Sequence, residues 1–100
     1  MVALNQPVRF EWDAGNERKS LDKHGVSRAE AEQVFLNEPL LLLADAGHSL
    51  VEPRYHVLGI TDEGRRLQVS FTLRQGGATV RVISARAMSR KERALYDQET

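Results

Sequence analysis

Six arginines punctuate residues 54–86: Arg54, Arg65, Arg66, Arg74, Arg81 and Arg86. With Arg90 and Lys91 they make eight basic residues between 46 and 91, against three acidic ones, Glu52, Asp62 and Glu63, a local charge of +5. A planar guanidinium fork matches two oxygens of a phosphate at once, so arginines gathered on one surface point to phosphate chemistry. The competing assignment is structural, with arginine stems lying over sheet edges and their heads paired to carboxylates. His24, His48 and His56 have no spacing that sets two ligands on one helix face; Asp45 could complete a cluster, but nothing in the pattern requires it, and no metal or other cofactor is expected. The chain has no cysteine, which removes thiol nucleophiles and thiolate metal sites. It lacks the P-loop, dinucleotide-binding, zincin and nucleophile-elbow signatures.

The elements that must carry these residues follow from periodicity and capping. Val8 to Trp12 alternates apolar and polar residues as a half-buried strand does. Asp13 can cap a helix running to about Lys23, with Leu21 its only large apolar anchor and Gly25 placed as a left-handed stop. Ser27 and Glu30 form a capping box, opening a helix that buries Ala31, Val34 and Phe35 and ends before Pro39. Leu40 to Leu43 is a short apolar run, followed by a polar loop through Asp45, Gly47, His48 and Ser49. Strands are expected over 54–60, 65–73 and 79–85, joined by turns at Thr61-Asp62-Glu63-Gly64 and Gln75-Gly76-Gly77. A second capping box, Ser89 with Glu92, opens a terminal helix bearing Ala94, Leu95 and Tyr96. Short connections imply an α+β fold: an antiparallel sheet of about four to five strands with N-terminal helices and a C-terminal helix.

At 100 residues one domain spanning 1–100 is expected, large enough to bury a core without metal or disulfide staples. The composition, 41% hydrophobic and 28% charged, is that of a folded domain rather than a disordered tail. The longest apolar run falls far short of a membrane span, and Met1 to Gln6 lacks the basic start and apolar stretch of a secretory signal. No membrane contact and a cytoplasmic location are therefore expected. Fourteen basic residues balance fourteen acidic ones, so the whole-chain charge is zero. A nucleic-acid ligand would depend on the uneven distribution of that charge.

Phe10-Glu11-Trp12-Asp13, Lys23-His24-Gly25-Val26-Ser27 and Ala31 with Val34-Phe35 together resemble the opening of the BrnT family of bacterial toxins. The resemblance continues through His48, Glu52-x-Arg54, Gly59, Gly64-Arg65, Thr72-x-Arg74 and the run Arg81 to Arg86, and ends at Glu92 and Tyr96. It implies a RelE-like ribonuclease of a type II toxin–antitoxin system that blocks translation by cutting RNA. It also implies neutralisation by a BrnA-type antitoxin, through which alone operator DNA would be met. The chain departs from the family pattern at Asn16, where a lysine is usual, at Ser20, often an asparagine, and at Ala87, commonly basic.

Carried over from the matching motifs, Arg54, Arg74, Arg81 and Arg86 are the candidates for stabilising the phosphate and the transition state. Arg74 and Arg81 rank first, at facing ends of the last expected hairpin. Arg65, Arg66 and Tyr96 are candidate RNA contacts, and His24 and Glu92 candidate proton-transfer groups for metal-independent cleavage. Three of these have competing roles: His24 in closing the first helix, Glu92 in its capping box, Tyr96 as a partly buried aromatic. The alternative function is a non-catalytic toxin homologue that binds the antitoxin and tunes operator repression. A third reading is a plain small domain with arginine-paired surfaces and no partner.

Overall fold

The computed structural model describes residues 9–45, 47 and 52–100. Val8 and His48, which belonged to the expected first strand and central loop, lie outside the described residues. The chain order is β1 (Arg9–Trp12), α1 (Ala14–His24), α2 (Arg28–Leu36), β2 (Leu41–Ala44), β3 (Arg54–Ile60), β4 (Arg66–Arg74), a 3-10 turn (Gln75–Gly77), β5 (Thr79–Ala87) and α3 (Arg90–Glu99). The five strands form one sheet in the order β1-β5-β4-β3-β2. β2 through β5 pair antiparallel in a meander, but β1 joins β5 in parallel, aligning Glu11 with Arg81. The sheet is therefore mixed rather than wholly antiparallel. Parallel pairing follows from the path: the two helices carry the chain away from β1 before the meander returns its last strand beside it.

The caps behave as local chemistry requires. The Asp13 carboxylate accepts from the Gly15 and Asn16 N–H groups, and Gly25 ends α1 at φ 64°. Both capping boxes are formed. α1 departs from expectation in what it buries. Leu21 is 53% exposed, whereas Ser20 is buried at 1%. The Ser20 hydroxyl accepts the Ala85 N–H at 3.1 Å. β1 pairs with β5 only as far as Val82, so α1 supplies a partner that the edge strand does not.

One sheet face is apolar. Val57, Leu67, Val69, Phe71, Val80, Val82 and Ala85 pack against Val26, Ala31, Val34 and Phe35 of the helical layer. Phe35 meets Phe71 edge-on, with ring centroids 5.1 Å apart. The opposite face is divided. Beneath α3, Leu58, Met88 and Tyr96 form a second cluster with Leu41, Leu43 and Leu95. The remainder of that face carries polar side chains.

Candidate functional site

Alternation along the strands turns Leu67, Val69, Phe71 and Leu73 towards the core, and with them the opposite parity of β4 outward. The register then sets Glu11, Arg81, Thr72 and Arg54 side by side in one row across β1, β5, β4 and β3. A second row holds Ser84, Ser70 and His56, and a third Arg86, Gln68 and Leu58. Arg74 lies two residues beyond Thr72 with the same parity.

Arg86 shares this face because of one irregularity. Arg81 and Arg86 are five residues apart, which in a regular strand points them to opposite sides. Ser70 pairs with Ser84, but Phe71 pairs with Val82, leaving Ile83 as an extra residue in β5. This bulge resets the alternation, so that Ala85 returns to the core and Ser84 and Arg86 join Arg81.

Carboxylates meet most of these guanidinium groups. Arg81 Nη1 donates to Glu11 Oε1 at 2.7 Å, and Arg74 to Glu52 at 3.4 Å. Arg86 grips both Glu92 oxygens at 2.7 and 3.0 Å, and Arg66 reaches Asp97 at 3.0 Å. The local +5 of the sequence is thus partly offset in space by Glu11 from β1 and by Glu92 and Asp97 from α3. The exposed pairs Arg81–Glu11, Arg74–Glu52 and Arg66–Asp97 contribute only about 0–1 kcal/mol each, so a phosphate can compete for these arginines at small cost.

Glu92 is held by more than its arginine. Burial raises its pKa, but Arg86 and the Ser89 N–H outweigh this, and the carboxyl lies below its ordinary value. An acid so held stays ionised at neutral pH, which suits an anchor for Arg86 better than a proton donor. Bonding to Glu92 raises the Arg86 pKa in turn, against the effect of burial.

His56 is engaged at both ring nitrogens. Nε2 lies 2.9 Å from Asp45 Oδ2, and Nδ1 lies 2.8 Å from Ser70 Oγ and 2.7 Å from Gln68 Nε2. With its proton on Nε2 the ring donates to Asp45, and the single lone pair of Nδ1 is shared between the Ser70 hydroxyl and the Gln68 amide. Beside this network the buried Thr72 Oγ1 and Gln68 Oε1 have no hydrogen-bond partner among the described residues.

The remaining candidates lie elsewhere. Arg65 is on the helical side, donating to the carbonyls of Gly25 at 2.8 Å and His24 at 3.4 Å and to Glu30 at 3.1 Å. It ties the end of α1 to the start of α2, and His24 sits in that junction, across the sheet from Arg54 and Arg81. Tyr96 is 4% exposed and its hydroxyl donates to the Pro39 carbonyl at 2.6 Å. Burial pushes its pKa up. That position serves the core beneath α3 rather than an RNA base. Arg54, Arg74, Arg81, Arg86 and Glu92 are therefore brought to one side of the sheet, and His24 and Arg65 are not.

Glu11 and Thr72 join that side without having been given a chemical role by sequence, and His56 with Asp45 join it after being weighed only as metal ligands. The signals available for Glu11 were its outward parity between Phe10 and Trp12 and its place in the Phe10 to Asp13 motif; its neighbour across the strands was not legible.

Fold and site together define a small α+β domain whose sheet has one apolar face and one polar, arginine-bearing face. The family described as "Ribonuclease toxin, BrnT, of type II toxin-antitoxin system" matches residues 12–92, and the chain belongs to it. The crystal structure of the Brucella abortus ribonuclease toxin BrnT is similar in fold, with a TM-score of 0.58 and 21% sequence identity. That match covers 83% of this chain and 99% of the Brucella chain. No curated protein matches the sequence. Among the described residues no helix is long and apolar enough to cross a membrane.

Proposed function

We propose that this chain is a metal-independent endoribonuclease that cuts RNA, blocks translation in the cytoplasm and is neutralised by a BrnA-type antitoxin that carries the operator contact. The observation that supports cleavage is the row Glu11, Arg81, Thr72 and Arg54, with Arg74 and Arg86 on the same side of the sheet. Cleavage by the ribose 2′-hydroxyl generates a phosphorane richer in negative charge than the ground-state diester. Guanidinium groups fixed on a sheet stabilise that charge without reorganising. They supply the charge neutralisation for which other nucleases use a cation.

Purified protein is expected to cut single-stranded RNA in the presence of chelator, leaving a 2′,3′-cyclic phosphate and a 5′-hydroxyl. Arg81→Ala should lose about 100-fold or more of the rate, as removal of one transition-state donor does elsewhere, while keeping its fold. A wild-type protein inert at high enzyme excess, or an Arg81→Ala variant that cuts normally, refutes the reading. The antitoxin reading is tested by co-expression with the product of the adjacent reading frame, which should co-purify with the chain and abolish cleavage.

A second reading, an antitoxin-binding module without catalysis, draws on the engagement of Arg81 by Glu11 and Arg86 by Glu92. Induction of the wild type and of Asn16→Lys separates the two. Growth arrest by Asn16→Lys alone favours the module, and arrest by the wild type favours the enzyme.

A further inference from the structure

Attack by a 2′-hydroxyl requires a group that removes its proton, and that group must lie next to whatever holds the adjacent phosphate, because O2′ and the 3′-phosphate share one ribose. We infer that Glu11 is the general base of this site, an assignment that rests on the ribonuclease reading. Glu11 stands beside Arg81 at 2.7 Å and is the carboxylate in the row that also holds Thr72 and Arg54.

Independent support comes from Thr72. It is 5% exposed, yet its Oγ1 has no hydrogen-bond partner among the described residues. A buried hydroxyl left unsatisfied between two arginine-bearing strands is a donor without an acceptor, and a phosphate oxygen supplies one. The row thus holds a carboxylate, a hydroxyl donor and two guanidinium groups in the order Glu11, Arg81, Thr72, Arg54.

The other carboxylates near this face are paired as Glu11 is, but with groups outside its row. Glu92 accepts two Arg86 bonds and the Ser89 N–H, Asp45 holds His56 Nε2, Glu52 meets Arg74, and Asp97 of α3 meets Arg66. Glu11 is also well positioned mechanically. Its neighbours anchor β1 in the core: Phe10 packs on Phe35 with centroids 5.5 Å apart, and Trp12 Nε1 donates to Glu32 at 3.0 Å. The Glu11 side chain itself remains 42% exposed, within reach of a ligand.

In the step this implies, the RNA phosphate takes the Arg81 guanidinium from Glu11 and leaves the carboxylate free to accept. Glu11 removes the 2′-hydroxyl proton, the O2′–P bond forms and the P–O5′ bond breaks. The departing 5′-oxygen takes a proton from water. The hydroxide so produced takes the proton held by Glu11, restoring the carboxylate. The products are a 2′,3′-cyclic phosphate and a 5′-hydroxyl.

Glu11→Gln keeps the shape and the capacity to accept from Arg81 but cannot take a proton at neutral pH. The test measures single-turnover cleavage of a short single-stranded RNA at saturating enzyme, and affinity for the uncleavable 2′-deoxy oligonucleotide. Glu11→Gln should slow cleavage about 100-fold or more, within the range for general-base loss. Its affinity for the 2′-deoxy oligonucleotide should be equal or tighter, because a negative charge facing the phosphate is gone. Glu11→Asp, with the carboxylate drawn back by one methylene, should cut faster than Glu11→Gln and guards against misfolding of the amide variant.

Glu11→Gln cutting within threefold of wild type overturns the assignment and leaves the ribonuclease reading intact. So does an effect confined to affinity, or a Glu11→Asp variant as inert as Glu11→Gln. A wild type that does not cut overturns both.

Discussion

Replacing Ser20 by alanine tests how α1 is seated on the sheet. The Ser20 hydroxyl is the acceptor for the buried Ala85 N–H at 3.1 Å. Leaving a buried donor unpaired costs about 1–3 kcal/mol. Alanine recovers roughly 0.5 kcal/mol through its higher helix propensity. The expected net destabilisation is therefore about 1.5 kcal/mol, a fall in Tm of roughly 6–12 °C for a domain of this size. Leu21→Ala is the control. Its side chain is 53% exposed, so its cost should stay within about 0.5 kcal/mol. Urea unfolding of both variants gives the free energies, and amide exchange at Ala85 reports the broken bond directly, accelerating in Ser20→Ala alone. A costly Leu21→Ala beside a neutral Ser20→Ala refutes the reasoning, because it means that α1 is rotated by one residue and meets β5 through its leucine.

Two further outcomes follow from packing and charge. A Cβ on Gly59 would lie 2.6 Å from Val34 Cγ1, so Gly59→Ala should destabilise by about 1–3 kcal/mol in thermal unfolding, and a cost below 0.5 kcal/mol contradicts the close approach of α2 to β3. The Ser27 N–H, aided by Arg65 and opposed by burial, lowers the pKa of Glu30, and the bonds from Arg86 and Ser89 lower that of Glu92 despite its burial. Both acids bind protons more weakly when folded than when unfolded. Their contribution is complete above the ordinary carboxylate range and is lost as pH falls through the lowered values. The urea midpoint should decline on acidification, less steeply in Glu92→Gln; an equal decline in that variant removes Glu92 from the account.

Where a local rule sufficed, sequence and structure agree. Asp13, Ser27 and Ser89 cap their helices by bonds spanning two or three residues, and Gly25 stops α1 by a conformation that glycine adopts freely. The strand over 54–60 has the expected bounds, and the next two differ by one or two residues at their ends. Leu21 misled because the most apolar residue of a polar helix looks like its anchor. The actual anchor is a serine whose value depends on an N–H sixty-five residues away.

The chemistry-bearing residue types, the helix and strand segments and the family membership are all written in the linear chain, because caps, turns and alternation act over a few residues. Which residues meet was decided by tertiary structure. Parallel pairing of β1 with β5 sets Glu11 against Arg81 across seventy positions, and Arg65 with His24 falls to the other side of the sheet. One extra residue, Ile83, reverses the parity of β5 and brings Arg86 to the side of Arg81. A period of two carries no information about where it will be interrupted, since the bulge exists only in relation to the strand that β5 pairs with.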